Sequence, residues 1–242
     1  MPDSRSYDRA PADIRPVSID PGFVESADGS ALISIGKTRV ICTASVQESV
    51  PRWMQGRGKG WVTAEYAMLP RATATRTPRE VSKGRQSGRT HEIQRLIGRS
   101  LRAVVDMEML GERSVIIDCD VLQADGGTRT AAITGAYVAM AWALRQLQKF
   151  GTLKKWPVRD HVAATSVGLL GGKAMLDLCY QEDSRADVDM NVVLTGEGKF
   201  VEVQATAEQH AFDDSQMAEM IALARKGIGE LIAAQKAALE KA

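Results

Sequence analysis

Alternation of apolar and polar residues predicts β-strands in two separate parts of the chain. In the first part, glycine and lysine at positions 36 and 37 form a tight turn between two strands. The first part has strands predicted at 31–35, 39–46, 61–66 and 114–121, and the second at 162–170, 174–180, 188–194 and 200–204. The strands of each part are therefore predicted to form a sheet.

Apolar residues spaced at the helical period follow each group of strands. A helix is predicted over 90–110, with Thr90 as its cap and Gly111 as its stop. An alanine-rich, mostly buried helix is predicted over 128–150, and a last helix opens at residues 213–215. This repeated order predicts an α+β protein of two related β-then-α lobes, with mixed sheets packed against helices.

The polar stretches divide the chain. Residues 1–16 contain two prolines and are predicted to form an irregular arm, followed by one lobe over 17–152 and a second lobe over 158–242. The first lobe has a basic, glycine-rich loop at 51–60 and a polar loop at 71–87. The second of these loops has almost no apolar side chains, so it is predicted to be exposed.

The composition is that of a globular protein. Of 242 residues, 44% are hydrophobic and 25% are charged. The longest apolar run, residues 131–144, is too short for a bilayer, which takes about 20 residues. The three cysteines Cys42, Cys119 and Cys179 lie in strand-like runs, which favours buried free thiols and a cytoplasmic protein. A membrane protein, a secreted disulfide scaffold and a disordered chain are excluded.

The net charge of +1 conceals a strong asymmetry. Residues 52–102 carry 12 Lys and Arg against three Glu, a balance of +9, so the rest of the chain carries −8. A basic segment of this kind favours a polyanionic partner. The alternative is an acidic face on a partner subunit.

Residues 125–130 connect a predicted strand to the start of the long helix, where free amide groups and the helix dipole favour an anion. Gly126 and Gly127 allow close approach of the backbone, Thr128 adds a hydroxyl, and Arg129 adds a guanidinium. A cation in the first turn opposes the helix dipole unless an anion lies between them. This stretch therefore predicts a phosphate site, against the alternative of a plain glycine turn with a threonine cap.

The helix predicted over 90–110 has a start similar to that of the long helix. Arg89 follows Gly88 and precedes Thr90 there, so a glycine, an arginine and a threonine again lie together. Two helix starts, each with an arginine, would hold one phosphate from two sides. Taken alone, Arg89 is more typical of a surface arginine.

Four carboxylates crowd the chain before and within the strand at 188–194: Glu182, Asp183, Asp187 and Asp189. Clustered carboxylates suit Mg²⁺, or a general acid kept protonated by its neighbours. A solvated acidic turn is the alternative interpretation.

Long motifs in this chain resemble the bacterial RNase PH family of phosphate-dependent 3′→5′ exoribonucleases. The resemblance covers nearly the whole chain and is carried by residues 39–46, 60–66, 68–71, 88–99, 118–130 and 188–191. It implies two related α+β lobes, the ribosomal-protein-like fold of that family, and a homohexamer built as a trimer of dimers.

The resemblance also implies functional residues. The family's phosphate site corresponds to Arg89, Gly127, Thr128 and Arg129, and its catalytic or metal-binding aspartates to Asp183 and Asp189. The family's arginines for holding transfer RNA correspond to Arg71, Arg76 and Arg79.

The resemblance implies an enzyme that trims the 3′ end of transfer RNA precursors and other structured RNA. Inorganic phosphate would be the co-substrate, Mg²⁺ the divalent cation, and nucleoside 5′-diphosphates the products. Neither DNA nor a membrane is an expected partner. The alternatives are a catalytically silent, RNA-binding ring subunit and a metal-dependent hydrolytic RNase.

Overall fold

The first sheet lies in the N-terminal half of the chain. The computed structural model describes residues 5–208 and 210–240. The strands of the first sheet are β1 Val17–Pro21, β2 Gly29–Ile35, β3 Thr38–Gln47, β4 Trp61–Met68 and β5 Ser114–Gln123. Their order is β1-β2-β3-β5-β4, with β4 parallel to β5 and the other neighbours antiparallel. The sheet is therefore mixed, as predicted.

The second sheet is antiparallel throughout, in the order β7-β6-β8-β9. Its strands are β6 Val162–Leu170, β7 Lys173–Leu176, β8 Val188–Thr195 and β9 Phe200–Ala207. The two groups of strands confirm the predicted α+β class.

Helices cover both sheets. They are α1 Gly88–Arg102, α2 Met107–Leu110, α3 Thr128–Lys149, α4 Tyr180–Asp183 and α5 Asp214–Glu240, and short 3₁₀ turns lie at Ser6–Asp8, Arg52–Met54 and Glu80–Lys83. Helix α3 contacts β2 and β3 of the first sheet and β6 of the second, so it forms the shared core. Helix α1 packs on β4, and α5 packs on β6 and β7.

The close packing of α3 on the first sheet depends on a glycine. A Cβ atom at Gly135 would lie 2.7 Å from Cγ2 of Ile33 and 3.0 Å from Sγ of Cys42. Cys42 and Cys119 are opposite each other on β3 and β5, with their sulfurs 3.6 Å apart. All three cysteines are buried free thiols, as predicted, although Cys179 precedes α4 instead of lying in a strand.

The predicted helix over 90–110 is interrupted after Arg102, although residues 107–110 are helical and end at Gly111 as predicted. Helix α1 ends at Arg102, and α2 begins after Asp106, whose carboxylate accepts hydrogen bonds from the amides of Glu108 and Met109. Between the two helices, Val105 forms a β-bridge with Val158. The apolar spacing continues across the break because Val104, in a turn, and Val105, in the β-bridge, are both buried.

The predicted strand over 174–180 is also too long, since β7 ends at Leu176. The next residue, Asp177, has a φ of 54°, which a strand does not accommodate. The chain then turns into the short helix α4.

The predicted arm crosses to the second sheet, where the amide of Leu176 donates to the carbonyl of Pro11. Residues 1–4 of the arm and 241–242 of the second predicted lobe lie outside the described residues. The division into lobes at 17–152 and 158–242 stays a prediction. Among the described helices, none is long and apolar enough to cross a membrane.

Candidate functional site

The predicted phosphate loop connects β5 to α3. Gly126 and Gly127 have φ values of 78° and 65°, a region that glycine adopts without strain. A Cβ atom at Gly126 would lie 2.5 Å from the carbonyl oxygen of Leu178, so this loop packs directly on the second lobe. The glycines thus bring the phosphate loop beside the acidic segment.

The amide groups at the start of α3 point out of an uncapped helix. Its N-cap residue is Gly127, and no side chain of the described residues caps this helix. The Thr128 hydroxyl accepts a hydrogen bond from the Tyr66 hydroxyl at 2.8 Å, and the Thr130 hydroxyl donates to the Gly127 carbonyl at 2.9 Å. The helix start is therefore open to an anion, and no threonine side chain of the described residues caps it, unlike in the alternative interpretation.

Arg129 is held in place by two side chains of other elements. Its Nη1 donates to Oε1 of Glu92 on α1 and to Oε1 of Gln204 on β9, each at 3.1 Å. The Gln204 amide also donates to Glu92, at 3.2 Å. These contacts fix the guanidinium at the junction of α1, α3 and β9.

The start of α1 differs from the prediction in its cap. Ser87, not Thr90, is the N-cap residue, and its hydroxyl accepts from the Thr90 amide at 3.2 Å. Thr90 instead donates its hydroxyl to Glu80 at 2.9 Å. The next residue after Gly88 is Arg89, which is exposed in the first turn.

The structure separates the four clustered carboxylates into two pairs. Glu182 is buried against Arg5 and Arg9, and Asp187 accepts a hydrogen bond from the Gly171 amide at 2.9 Å. These two carboxylates have structural partners. The other two are Asp183 at the end of α4 and Asp189 on β8. They are close enough for the negative charge of Asp183 to raise the pKa of Asp189.

Burial raises the pKa of Asp183, and it raises the pKa of Asp189 to about 6 with a further contribution from the charge of Asp183. Asn191, two residues along the same strand, donates to Oδ2 of Asp189 at 3.3 Å. A carboxyl with a pKa near 6 changes its protonation close to neutral pH, which is typical of functional groups.

The predicted phosphate-site arginines, Arg89 and Arg129, affect the pKa of both aspartates. The charges of Arg89 and Arg129 each oppose the rise in the pKa of Asp183 and of Asp189. The fold thus brings the helix starts of the first lobe and the carboxylate pair of the second lobe into one site. In this site, an uncapped helix start and two arginines lie next to two carboxyl groups.

The predicted RNA-holding residues Arg71, Arg76 and Arg79 are exposed on the loop between β4 and α1. The loop has an apolar anchor that sequence reasoning missed, since Ala72 is buried and its carbonyl accepts from the Ala124 amide at 2.8 Å. Because Ala124 directly precedes the phosphate loop, this loop is tied to the site. Of its three arginines, Arg79 lines a cavity together with Arg89 and Tyr66.

Within the described residues, no group of three or more His, Cys, Asp and Glu side chains is arranged to hold a metal ion. Asp183 and Asp189 are a pair, and such a pair suits Mg²⁺ only with substrate oxygens as further ligands.

Two family models match the chain: the first domain of the 3′ exoribonuclease family over residues 13–145 and its second domain over residues 160–227. The chain belongs to the RNase PH family. The match to the first domain includes the start of α3 with Arg129, and the match to the second includes Asp183 and Asp189.

Among curated relatives, the Ribonuclease PH of Solibacter usitatus is 66% identical over 236 residues, which cover 98% of this chain and 99% of that protein. Among solved structures, the Archaeoglobus fulgidus exosome with RNA bound to the active site has a chain with a TM-score of 0.80 at 22% identity. That match covers 96% of this chain and 92% of that chain. Rice Rrp46 matches with a TM-score of 0.78 at 16% identity, over 97% of this chain and 100% of that one. These structures establish the RNase PH fold.

Proposed function

We propose that this chain is a phosphate-dependent 3′→5′ exoribonuclease that releases nucleoside 5′-diphosphates from RNA. The observation that carries the proposal is the uncapped start of α3 with Arg129, placed beside Asp183 and Asp189. The 66% identity to a Ribonuclease PH supports the same activity.

Phosphorolysis brings two anions together. An oxygen of inorganic phosphate attacks the phosphorus of the terminal phosphodiester, and the bond from that phosphorus to the 3′-oxygen of the preceding nucleotide breaks. Arg89, Arg129 and the amides of α3 would offset the repulsion and orient the attack. The leaving 3′-oxygen takes up a proton and remains as the new RNA end.

Asp183 and Asp189 would act at that leaving oxygen. A protonated carboxyl donates the proton directly. Alternatively, the two carboxylates would hold Mg²⁺ together with substrate phosphates, and the cation would neutralise charge on the leaving oxygen. In either role, burial of Asp189 matters because it sets the protonation of the pair.

The same residues give less support to the two alternatives, a silent ring subunit and a hydrolytic RNase. A silent ring subunit has no need of an intact set of two arginines, a threonine and two aspartates at one site. A hydrolytic RNase needs no site for a phosphate nucleophile, and the uncapped helix start with Arg129 supports the presence of such a site.

The activity is tested by incubating the protein with a 3′-extended RNA, with and without inorganic phosphate. We expect nucleoside diphosphates, resolved by chromatography, when phosphate is present and no shortening without it. Nucleoside monophosphates in phosphate-free buffer would contradict the proposal.

We further propose that the substrates are transfer RNA precursors held by Arg71, Arg76 and Arg79. Replacing all three with Ala removes their ion pairs with RNA phosphates, and the salt dependence of binding weakens with every ion pair removed. We expect the negative slope of log affinity against log salt to become shallower by about 2 to 3. We expect phosphorolysis of a short single-stranded oligonucleotide to continue, because Arg89, Arg129 and the start of α3, which would hold the phosphate, are all kept.

We also propose a cytoplasmic homohexamer, supported by the uneven charge along the chain. Gel filtration of the triple variant therefore serves as the control. If these arginines instead pair across a subunit boundary, the variant dissociates and loses both activities together, which would contradict the RNA-holding role.

A further inference from the structure

The described part of the N-terminal arm, residues 5–16, lies against the turn that carries Asp183. The guanidinium of Arg15 is almost fully buried, at 1% exposure, and forms a double contact with Asp177. Nη2 of Arg15 lies 2.6 Å from Oδ1, and Nε lies 2.8 Å from Oδ2. The backbone amide of Arg15 donates to the same Oδ2 at 2.8 Å.

The other side of the same guanidinium holds the phosphate loop. Nη1 of Arg15 donates to the carbonyl of Asp125, and Nη2 donates to the carbonyl of Gly126 at 3.4 Å. Binding these carbonyls fixes their direction, and with them the direction of the following amides at the start of α3. One side chain of the arm therefore contacts both the phosphate loop and the segment leading to the carboxylate pair.

Asp177 is itself held in an unusual conformation. Its φ of 54° is in the left-handed region, which is uncommon for a residue with a side chain. Burial alone would raise the pKa of this carboxyl, but the hydrogen bonds and charge of Arg15 hold its pKa below the usual value. The ion pair thus stabilises the bend from β7 into α4.

A second contact of the arm fixes α4. Nε of Arg5 lies 2.7 Å from Oε1 of Glu182, and Nη2 of Arg9 lies 3.3 Å from Oε2. Oε2 of Glu182 also accepts from the amide of Cys179 at 2.9 Å, which closes the first turn of the helix. Because Asp183 is the next residue, these contacts determine where its carboxylate lies.

We propose that Arg15 is a positioning residue that sets the phosphate loop and the Asp183 turn at a fixed separation, with Glu182 as a second positioning residue for Asp183. Arg9 links the two, since it contacts both Asp177 and Glu182. This inference rests on the proposed phosphorolysis. Buried ion pairs that lose one partner leave an uncompensated charge, so these contacts are also costly to break.

The test compares Arg15→Lys, Glu182→Gln and a matched control. Lysine keeps the charge of Arg15 but has no planar fork to hold Asp177 and the two carbonyls together. We expect Arg15→Lys to lower kcat and raise the KM for phosphate, each by about 10- to 100-fold, because both reacting partners move. We expect Glu182→Gln to lower kcat by about tenfold and leave the phosphate KM unchanged, because the phosphate loop stays in place.

The control is Lys226→Met. Nζ of Lys226 donates to the carbonyl of Ala12 at 2.6 Å, so this variant loosens the arm where it meets α5 and touches neither half of the site. We expect its kcat and phosphate KM to stay within about twofold of the unchanged protein. Thermal unfolding of every variant sets an assay temperature at which each is folded.

A folded Arg15→Lys protein with unchanged kcat and phosphate KM would overturn the inference, as would equal effects of all three variants. If Arg15→Lys does not fold, Glu182→Gln decides, with kcat expressed per folded molecule because partial unfolding lowers the apparent kcat and leaves KM unchanged. A kcat per folded molecule equal to that of the unchanged protein would then overturn the inference. Titration of each protein with inorganic phosphate by calorimetry needs no turnover. The two failures are distinguishable. Absence of phosphorolysis in the unchanged protein would refute the proposed function, whereas an unchanged phosphate affinity of Arg15→Lys would refute the positioning role.

Discussion

Arg129→Ala is expected to raise the phosphate concentration needed for half-maximal phosphorolysis by about 10- to 100-fold. The range follows from the loss of a charge-assisted hydrogen bond, which is worth about 1.5–3 kcal/mol. The side chain is in place before phosphate binds, because Glu92 and Gln204 each accept from it at 3.1 Å. Its removal therefore deletes a pre-oriented contact to the nucleophile.

The measurement is the initial rate of oligonucleotide shortening against phosphate concentration. Arg225→Ala is the matched control, since Nη1 of that arginine donates to the Gly198 carbonyl at the far end of the second sheet. We expect the control to keep its phosphate dependence. A normal phosphate KM in Arg129→Ala would place the phosphate pocket elsewhere.

Asp183→Asn and Asp189→Asn are expected to lower kcat by about 10²- to 10⁴-fold and to leave RNA affinity nearly unchanged. A group that acts on the leaving oxygen contributes mainly in the transition state, and general acid catalysis has this magnitude. Single-turnover rates and equilibrium RNA binding, measured on one preparation, separate the two effects.

Asp187→Asn is the control for the acidic segment. That carboxylate accepts from the Gly171 amide at 2.9 Å and serves the turn between β6 and β7. We expect its kcat to stay close to that of the unchanged protein. Equal losses of RNA binding and turnover in the Asp183 and Asp189 variants would show that the acidic pair is structural.

The pH dependence of kcat distinguishes the two roles proposed for Asp189. Burial and the charge of Asp183 raise its pKa to about 6, so the carboxyl is protonated below that pH and ionised above it. A general acid needs the proton, and kcat would fall as the pH rises through about 6. A ligand for Mg²⁺ needs the ionised form, and kcat would then rise over the same interval.

Much of the fold follows from local patterns. Alternation identified both groups of strands, and the alanine-rich run identified α3, which is buried between the sheets. The pattern failed at Val104 and Val105 because these residues, in a turn and a β-bridge, are buried with the same apolar spacing as the buried face of a helix. Strand β1 was missed because it is short and follows the proline-containing arm.

Within the site, sequence reasoning identified the residues that would touch substrate but missed those that position them. Arg15 binds Asp177, which is 162 residues away, and no local spacing signals such a contact. Glu92 and Gln204 were missed for the same reason. The four clustered carboxylates look alike in sequence, and only their partners in the fold separate Glu182 and Asp187 from Asp183 and Asp189.

The central claim is that inorganic phosphate is a reactant, and its most direct test follows the phosphate itself. The protein is incubated with radiolabelled inorganic phosphate and unlabelled 3′-extended RNA, and the released nucleotides are separated by chromatography. Phosphorolysis predicts nucleoside diphosphates that carry the label in their terminal phosphate, in an amount equal to the nucleotides removed. Unlabelled nucleoside monophosphates would contradict the claim, because water would then be the nucleophile.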